Sequence, residues 1–192
     1  MTNIPPIKRK TSISTSIKTT EPLDEYEIGK KLGEGKFGCV NLARHKKTLG
    51  LFALKKIPKA MIKSHMMVDQ LALEIRLQSC LNHRNVLGMY GFFDDKTYLY
   101  IVLEYMDGGT LYEKLKKGKF SESETAFVIR QVTEAIENLH DMGIAHRDLK
   151  PENIVISNVK SDLFRKFTNC VILVGQQCVT KGEKPIVAHL TM

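Results

Sequence analysis

The stretch His146-Arg147-Asp148-Leu149-Lys150-Pro151-Glu152-Asn153 places a carboxylate, an ammonium and a carboxamide in one short loop. Hydroxyl-directed phosphoryl transfer needs that set: a base for the hydroxyl proton, a cation for the γ-phosphate and an oxygen ligand for Mg2+. Asp148 is the candidate base, set to accept the proton of the substrate hydroxyl. Lys150 is the candidate γ-phosphate cation and favours Ser/Thr over Tyr as acceptor. Asn153 is the candidate metal ligand, through its side-chain oxygen. His146 reads as a residue that packs the loop rather than as a proton shuttle.

A second group lies upstream. Gly33-Glu34-Gly35-Lys36-Phe37-Gly38 has the G-x-G-x-x-G spacing. Dinucleotide-binding folds share that spacing, but there a helix follows the last glycine. Here Cys39-Val40-Asn41-Leu42-Ala43 alternates like a strand. The pattern predicts a strand–glycine turn–strand hairpin whose backbone N–H groups close over phosphates, with an ordinary glycine hairpin as the alternative. Leu32 and the glycine loop through Gly38 are thus candidate nucleotide-binding positions. Phe37 is expected to cap the tip and Val40 to lie over the adenine.

Lys55 follows in Phe52-Ala53-Leu54-Lys55. A lysine inside an apolar strand is costly unless it is paired. Glu74, on the next element, can reach it and hold it toward the α- and β-phosphates. The alternative is a solvent-facing Lys55 and a surface Glu74. Ala53 is expected to leave room for the purine.

The elements that must position these groups are legible in outline. Residues 1–22 are basic and rich in Ser, Thr and Pro, the composition of a disordered tail. Their Thr11–Thr20 cluster is open to phosphorylation or is simply solvated. From Tyr26 on, short alternating runs broken by glycines predict antiparallel strands. A helix is expected over roughly Ser64 to Leu81, then strands at Leu87–Phe93 and Tyr98–Glu104. Thr110 with Glu113, and Ser121 with Glu124, have capping-box spacing. The first box opens a short helix closed by Gly118 as a glycine C-cap, and the second opens a long one through Leu139. A strand-rich half followed by a helical half is an α+β, two-lobed layout.

Composition bounds the partners. The 192 residues are 43% hydrophobic and 26% charged, with net charge +8. No apolar run approaches the roughly 18 residues of a membrane helix, and no apolar segment follows Lys8-Arg9-Lys10 to make a secretory signal. The lysines are dispersed without an aromatic-plus-basic motif, so neither direct nucleic-acid binding nor membrane association is expected. Acidic partners or an anionic nucleotide account for the sign of the charge. Cys39, Cys80, Cys170 and Cys178 are scattered and read as free thiols of a reducing compartment.

Over about residues 26–156 the chain resembles the eukaryotic protein kinases of the Ser/Thr type, most of all the Aurora kinases. The resemblance rests on Tyr26-Glu27-Ile28-Gly29, the glycine loop, Ala53-Leu54-Lys55, Gln78-Ser79, Tyr90-Gly91-Phe92-Phe93 and Leu103-Glu104-Tyr105-Met106. It implies a bilobal fold: a disordered tail over 1–22, a five-stranded N-lobe with one helix and the hinge over 23–106, and an incomplete helical C-lobe over 107–159. It further implies ATP and Mg2+ as cofactors and Leu103 as gatekeeper. Adenine would meet backbone groups of Glu104 and Met106, and Glu152 would lie near the ribose. A protein substrate, an Aurora-type activating partner and an intracellular site (cytoplasm or nucleus, spindle or centrosome) follow by analogy.

Departures are as informative. Arg84 stands where the family usually has Pro. No Asp-Phe-Gly and no Ala-Pro-Glu precede Met192. Lys166 stands near the place expected for the metal-binding Asp, and Asp162-Leu163-Phe164 comes too early and in the wrong order. Arg147, which in the family meets an activation-loop phosphate, has no such loop to meet. Residues 160–192 match nothing and have no clean period, as read-through or a shifted frame would. Losing one preorganised electrostatic group costs about 10²–10³ in rate. The expectation is therefore a kinase with impaired transfer, with a catalytically inactive ATP-binding module and a misassembled product as the alternatives. An apolar face left on the long helix predicts poor solubility unless the tail covers it.

Overall fold

The computed structural model describes residues 22–35, 38–62 and 65–157, and two short strands at 169–172 and 179–180. The tail expected over 1–22 lies outside the described residues apart from Pro22, as do Lys36, Phe37, Asp162-Leu163-Phe164 and Lys166. The chain is α+β and divides into two compact units. The first holds the described residues up to Met67, Gln78–Cys80 and Gly88–Tyr105. The second holds Val68–Leu77, Leu81–Leu87 and the chain from Met106 on.

The first unit is a five-stranded antiparallel sheet in the order β1-β2-β3-β5-β4. Its strands are β1 (Tyr26–Gly35), β2 (Gly38–His45), β3 (Leu51–Pro58), β4 (Met89–Asp94) and β5 (Tyr98–Glu104). Side-chain alternation splits β3 cleanly. Phe52 and Leu54 join Tyr26, Ala43, Phe93, Tyr100 and Val102 in an aromatic-rich core. Within it Tyr26 stacks on Phe93 at 5.8 Å and Phe93 on Tyr100 at 4.8 Å. Ala53, Lys55 and Ile57 occupy the opposite face, and Ala53 and Ile57 are buried there. The β4–β5 turn is held by Asp95, whose Oδ1 accepts the N–H groups of Thr97 and Tyr98 at 2.7 Å.

Helix α1 (His65–Cys80) contributes residues to both units. In the second unit follow α2 (Leu111–Lys117), α3 (Glu122–Asp141), β6 (Ile144–Ala145), β7 (Ile154–Ser157), β8 (Asn169–Ile172) and β9 (Val179–Thr180). β6 pairs with β9 and β7 with β8, both antiparallel. Two strands thus arise from the stretch that had no assignable period, and β8 packs on α3. The core gathers Leu77, Leu81, Val86, Leu111, Val128, Val132, Ala135, Leu139, Ile144, Ile154 and Ile156. Arg84, the departure from the family's usual proline, is anchored to α3: its guanidinium donates to Glu134 at 2.5 Å.

Both capping boxes form. Thr110 Oγ1 accepts the Glu113 N–H and Glu113 Oε2 accepts the Thr110 N–H. Ser121 and Glu124 repeat the exchange at the start of α3. Ser121→Ala is expected to destabilise the protein by about 1 kcal/mol, read from the urea midpoint at unchanged m-value. Gly118 ends α2 as expected, but not as a left-handed cap: its φ of 165° is extended backbone.

Candidate active site

The glycine loop closes the β1–β2 hairpin, with Gly33 opposite Val40, Glu34 opposite Cys39 and Gly35 opposite Gly38. A strand follows the last glycine, as the alternation of Cys39–Ala43 predicts, and a dinucleotide-type helix does not. Register shifts flank Lys31. They bring Lys31 and Glu34, which would otherwise point to opposite faces, within 2.5 Å of each other. This exposed pair holds the Glu34 carboxyl below its usual value, first through the hydrogen bond from Lys31 and then through its charge. The loop glycines do different work. A Cβ added at Gly33 meets nothing within 4 Å, and one at Gly35 meets only the Gly38 carbonyl oxygen at 4.0 Å. That open space suits a phosphate chain. A Cβ at Gly38, whose φ is +155°, would lie 1.9 Å from the Lys56 carbonyl oxygen.

The sheet register carries the loop to the other candidates of the first unit. Gly33, Val40 and Lys55 are successive partners across β1, β2 and β3. Leu42, Ala53 and Leu103 form a neighbouring row across β2, β3 and β5. Lys55 is half-buried, between the buried Ala53 and Ile57 of its own face. Leu32 is half-buried beside the loop and Leu103 is buried. Glu104 ends β5 opposite Phe52.

In the second unit, the candidate loop His146–Asn153 runs from β6 to a 3-10 turn at Pro151–Asn153. That turn folds Asn153 back, so its Nδ2 donates to the Asp148 carbonyl at 2.8 Å and to Asp148 Oδ2 at 2.9 Å. With both amide hydrogens directed at Asp148, the Asn153 Oδ1 turns away from it. A carboxamide oxygen so presented fits one ligand position of Mg2+. Lys150 Nζ lies 3.0 Å from Asp148 Oδ1. Here, then, the lysine meets the candidate base rather than standing apart from it. His146 is buried, as a packing residue should be, and its Nδ1 receives the Asp148 N–H at 3.3 Å. Arg147 sits at φ +59°, a left-handed conformation costly for a residue with a side chain. Glu152 is exposed, Met106 half-buried, and Glu74 of α1 buried at 6%.

Burial pushes the Asp148 carboxyl up, but the Lys150 ion pair and the Asn153 amide outweigh it, and the net shift is down from 3.8. Asp148 is therefore an ionised acceptor throughout the neutral range. Lys150→Met removes the largest of the lowering causes. The Asp148 titration is expected to move to higher pH, followed by the carbonyl-carbon shift in NMR. The sign follows from linkage: the stability Asp148 supplies is present above its unfolded value and is lost as pH falls through the lower folded value. The variant should lose less of its stability than wild type on acidification below about pH 4.

Spacing alone did not show the Lys31–Glu34 pair, the Asn153–Asp148 clasp or the Gly38 constraint. The first needs the strand irregularity, the second the 3-10 turn, and the third the approach of β3.

A protein kinase domain model matches residues 26–167. The match runs past Ile156, where the sequence resemblance was placed. The chain is 40% identical over 144 residues to Aurora kinase C of Mus musculus, covering 74% of this chain and 52% of the relative. It is 41% identical over 135 residues to Aurora kinase B of Mus musculus, covering 70% and 39%. Aurora kinase B of Xenopus tropicalis is 37% identical over 149 residues, covering 77% and 41%. The chain thus spans about two-fifths to one half of the length of these relatives. With most of its residues matched by that domain model and its glycine hairpin and His-Arg-Asp loop formed as described, the chain belongs to the protein kinase domain family.

Proposed function

We propose that this protein is an ATP-dependent, Aurora-like serine/threonine kinase. The observation that supports this most is Asp148, an ionised carboxylate held by Asn153 and Lys150 on one loop. Residues 23–106 act as the nucleotide clamp and 107–159 carry the catalytic loop. ATP with Mg2+ supplies the phosphoryl group and neutralises charge on it. The chain's residues do the rest. Backbone N–H groups of Gly33–Gly38 cradle phosphates, with Leu32, Val40, Ala53 and Leu103 around the purine. Lys55 meets the α- and β-phosphates, and Glu74 is the acid proposed to hold it there. Asn153 offers Oδ1 to Mg2+. Asp148 orients the Ser or Thr hydroxyl and takes its proton, and Lys150 swings from Asp148 to the γ-phosphate. A protein substrate and an activating partner belong to this reading.

A second reading is ATP binding without transfer. The sequence favours it in one respect: none of its 192 residues forms an Asp-Phe-Gly. One experiment separates the two. The purified chain is given γ-labelled ATP, Mg2+ and a mixture of Ser/Thr or Tyr peptides, and ATP affinity is measured in parallel. Transfer to Ser/Thr peptides supports the kinase. Binding without transfer supports the second reading, and absence of both overturns each.

A further inference from the structure

Helix α2 is anchored on one side, where Leu111 joins the core of the second unit. Its other side carries apolar groups into solvent. Tyr112 and Leu115, three residues apart and so neighbours on the helix surface, are exposed at 40% and 42%. Lys116 Nζ lies 4.5 Å from the centre of the Tyr112 ring, so a cation stands directly beside them. Over the whole chain the lysines are dispersed, which speaks against membrane association. Here, however, Lys114, Lys116, Lys117 and Lys119 fall within six residues, and the last three are exposed. The acids nearest in sequence do not cancel them. Glu113 Oε2 accepts the Thr110 N–H and Glu124 Oε2 the Ser121 N–H, so both carboxylates are drawn to helix N-termini. Glu122 is the next acid along the chain, against three exposed ammonium groups.

We propose that α2 and the turn after it form a contact site for an anionic lipid bilayer. Tyr112 and Leu115 enter the boundary between headgroups and acyl chains, and Lys116, Lys117 and Lys119 meet the lipid phosphates and carboxylates. Size favours a bilayer over a folded partner. The seven residues of α2 make a helix about 10 Å long. Two apolar side chains on it cover far less than the roughly 800 Å² that each side of a stable protein interface buries. Fluid headgroups need no matching groove and rearrange around the ammonium groups. The contact is reversible and weakens with salt. It is independent of the nucleotide reading.

The chain contains no tryptophan, so Tyr112→Trp gives a single fluorescent reporter at the site. The intact variant is mixed with vesicles of phosphatidylcholine alone or with about 30% phosphatidylserine. Cosedimentation and a blue shift of the emission are expected with the serine lipid only, and both should fade as salt is raised. In the wild-type chain, Lys116→Gln, Lys117→Gln and Lys119→Gln are each expected to lower the partition about fivefold. Tyr112→Ser with Leu115→Ser should lower it while leaving its salt dependence unchanged. All five side chains are exposed, so the thermal midpoint should stay near wild type. The control removes the same charge from the first unit: Lys30→Gln, Lys46→Gln and Lys96→Gln together, all exposed, should leave the partition within about twofold. Four results overturn the proposal: no partition, partition without a blue shift, equal loss from the two lysine sets, or binding to soluble polyglutamate but not to vesicles.

Discussion

Asp148→Asn is expected to lower phosphotransfer by about 10²–10⁴ while ATP affinity stays within about twofold of wild type. The substitution keeps the size of the side chain and removes its capacity to take a proton. The fold should survive it. The Asp148–Lys150 pair is well exposed, at 43% and 48% of the side chains, and pairs of that kind contribute at most about 1 kcal/mol. The 2.8 Å bond from Asn153 to the backbone carbonyl of residue 148 does not depend on the side chain and still holds the loop. A loss of rate is therefore a loss of chemistry rather than of structure. Single-turnover transfer, measured with a nucleotide titration and an unfolding curve, separates these terms. An Asn variant that transfers at the wild-type rate would exclude Asp148 as the base. A variant that binds ATP tenfold more weakly would instead assign it to ground-state binding.

Local chemistry was readable in the sequence, and distant pairing was not. Thr110–Glu113 and Ser121–Glu124 were legible because both partners of a capping box lie within one turn. The Tyr98–Glu104 strand was legible from its continuous apolar run, and the structure gives the same bounds. Leu87 was expected to open the next strand to the N-terminal side. It is buried ahead of Gly88 instead, and β4 begins at Met89. Residues 169–172 and 179–180 showed no period because strands this short are selected by the edges they meet, those of β7 and β6. Residue types and spacing single out Asp148, Lys150 and Asn153 as candidates but not their mutual bonds, which depend on the 3-10 turn at Pro151–Asn153.

Gly38→Ala is expected to be the most damaging single substitution in the glycine loop, costing about 2–4 kcal/mol of stability and at least about tenfold in nucleotide affinity. Two independent costs fall on the same methyl group. At φ +155° the backbone of Gly38 is one that residues with a Cβ rarely adopt, and the new Cβ would stand 1.9 Å from the Lys56 carbonyl oxygen. That atom belongs to the backbone of β3, so no side-chain rotation relieves the clash. The strands must separate where Cys39 faces Lys56 and Val40 faces Lys55. Displacing Val40 and Lys55 together disturbs two candidate contacts of the nucleotide at once. Gly33→Ala is the control, because its Cβ meets nothing within 4 Å. Its unfolding midpoint without nucleotide should stay within about 1 kcal/mol of wild type, and any loss should show only in binding, where a methyl group intrudes on the phosphates. Thermal unfolding of both variants with and without ATP gives the comparison. A Gly38→Ala protein with wild-type midpoint and wild-type affinity would show that β2 moves away from β3 at no cost, and the close approach at Lys56 would lose its place in the design of the loop.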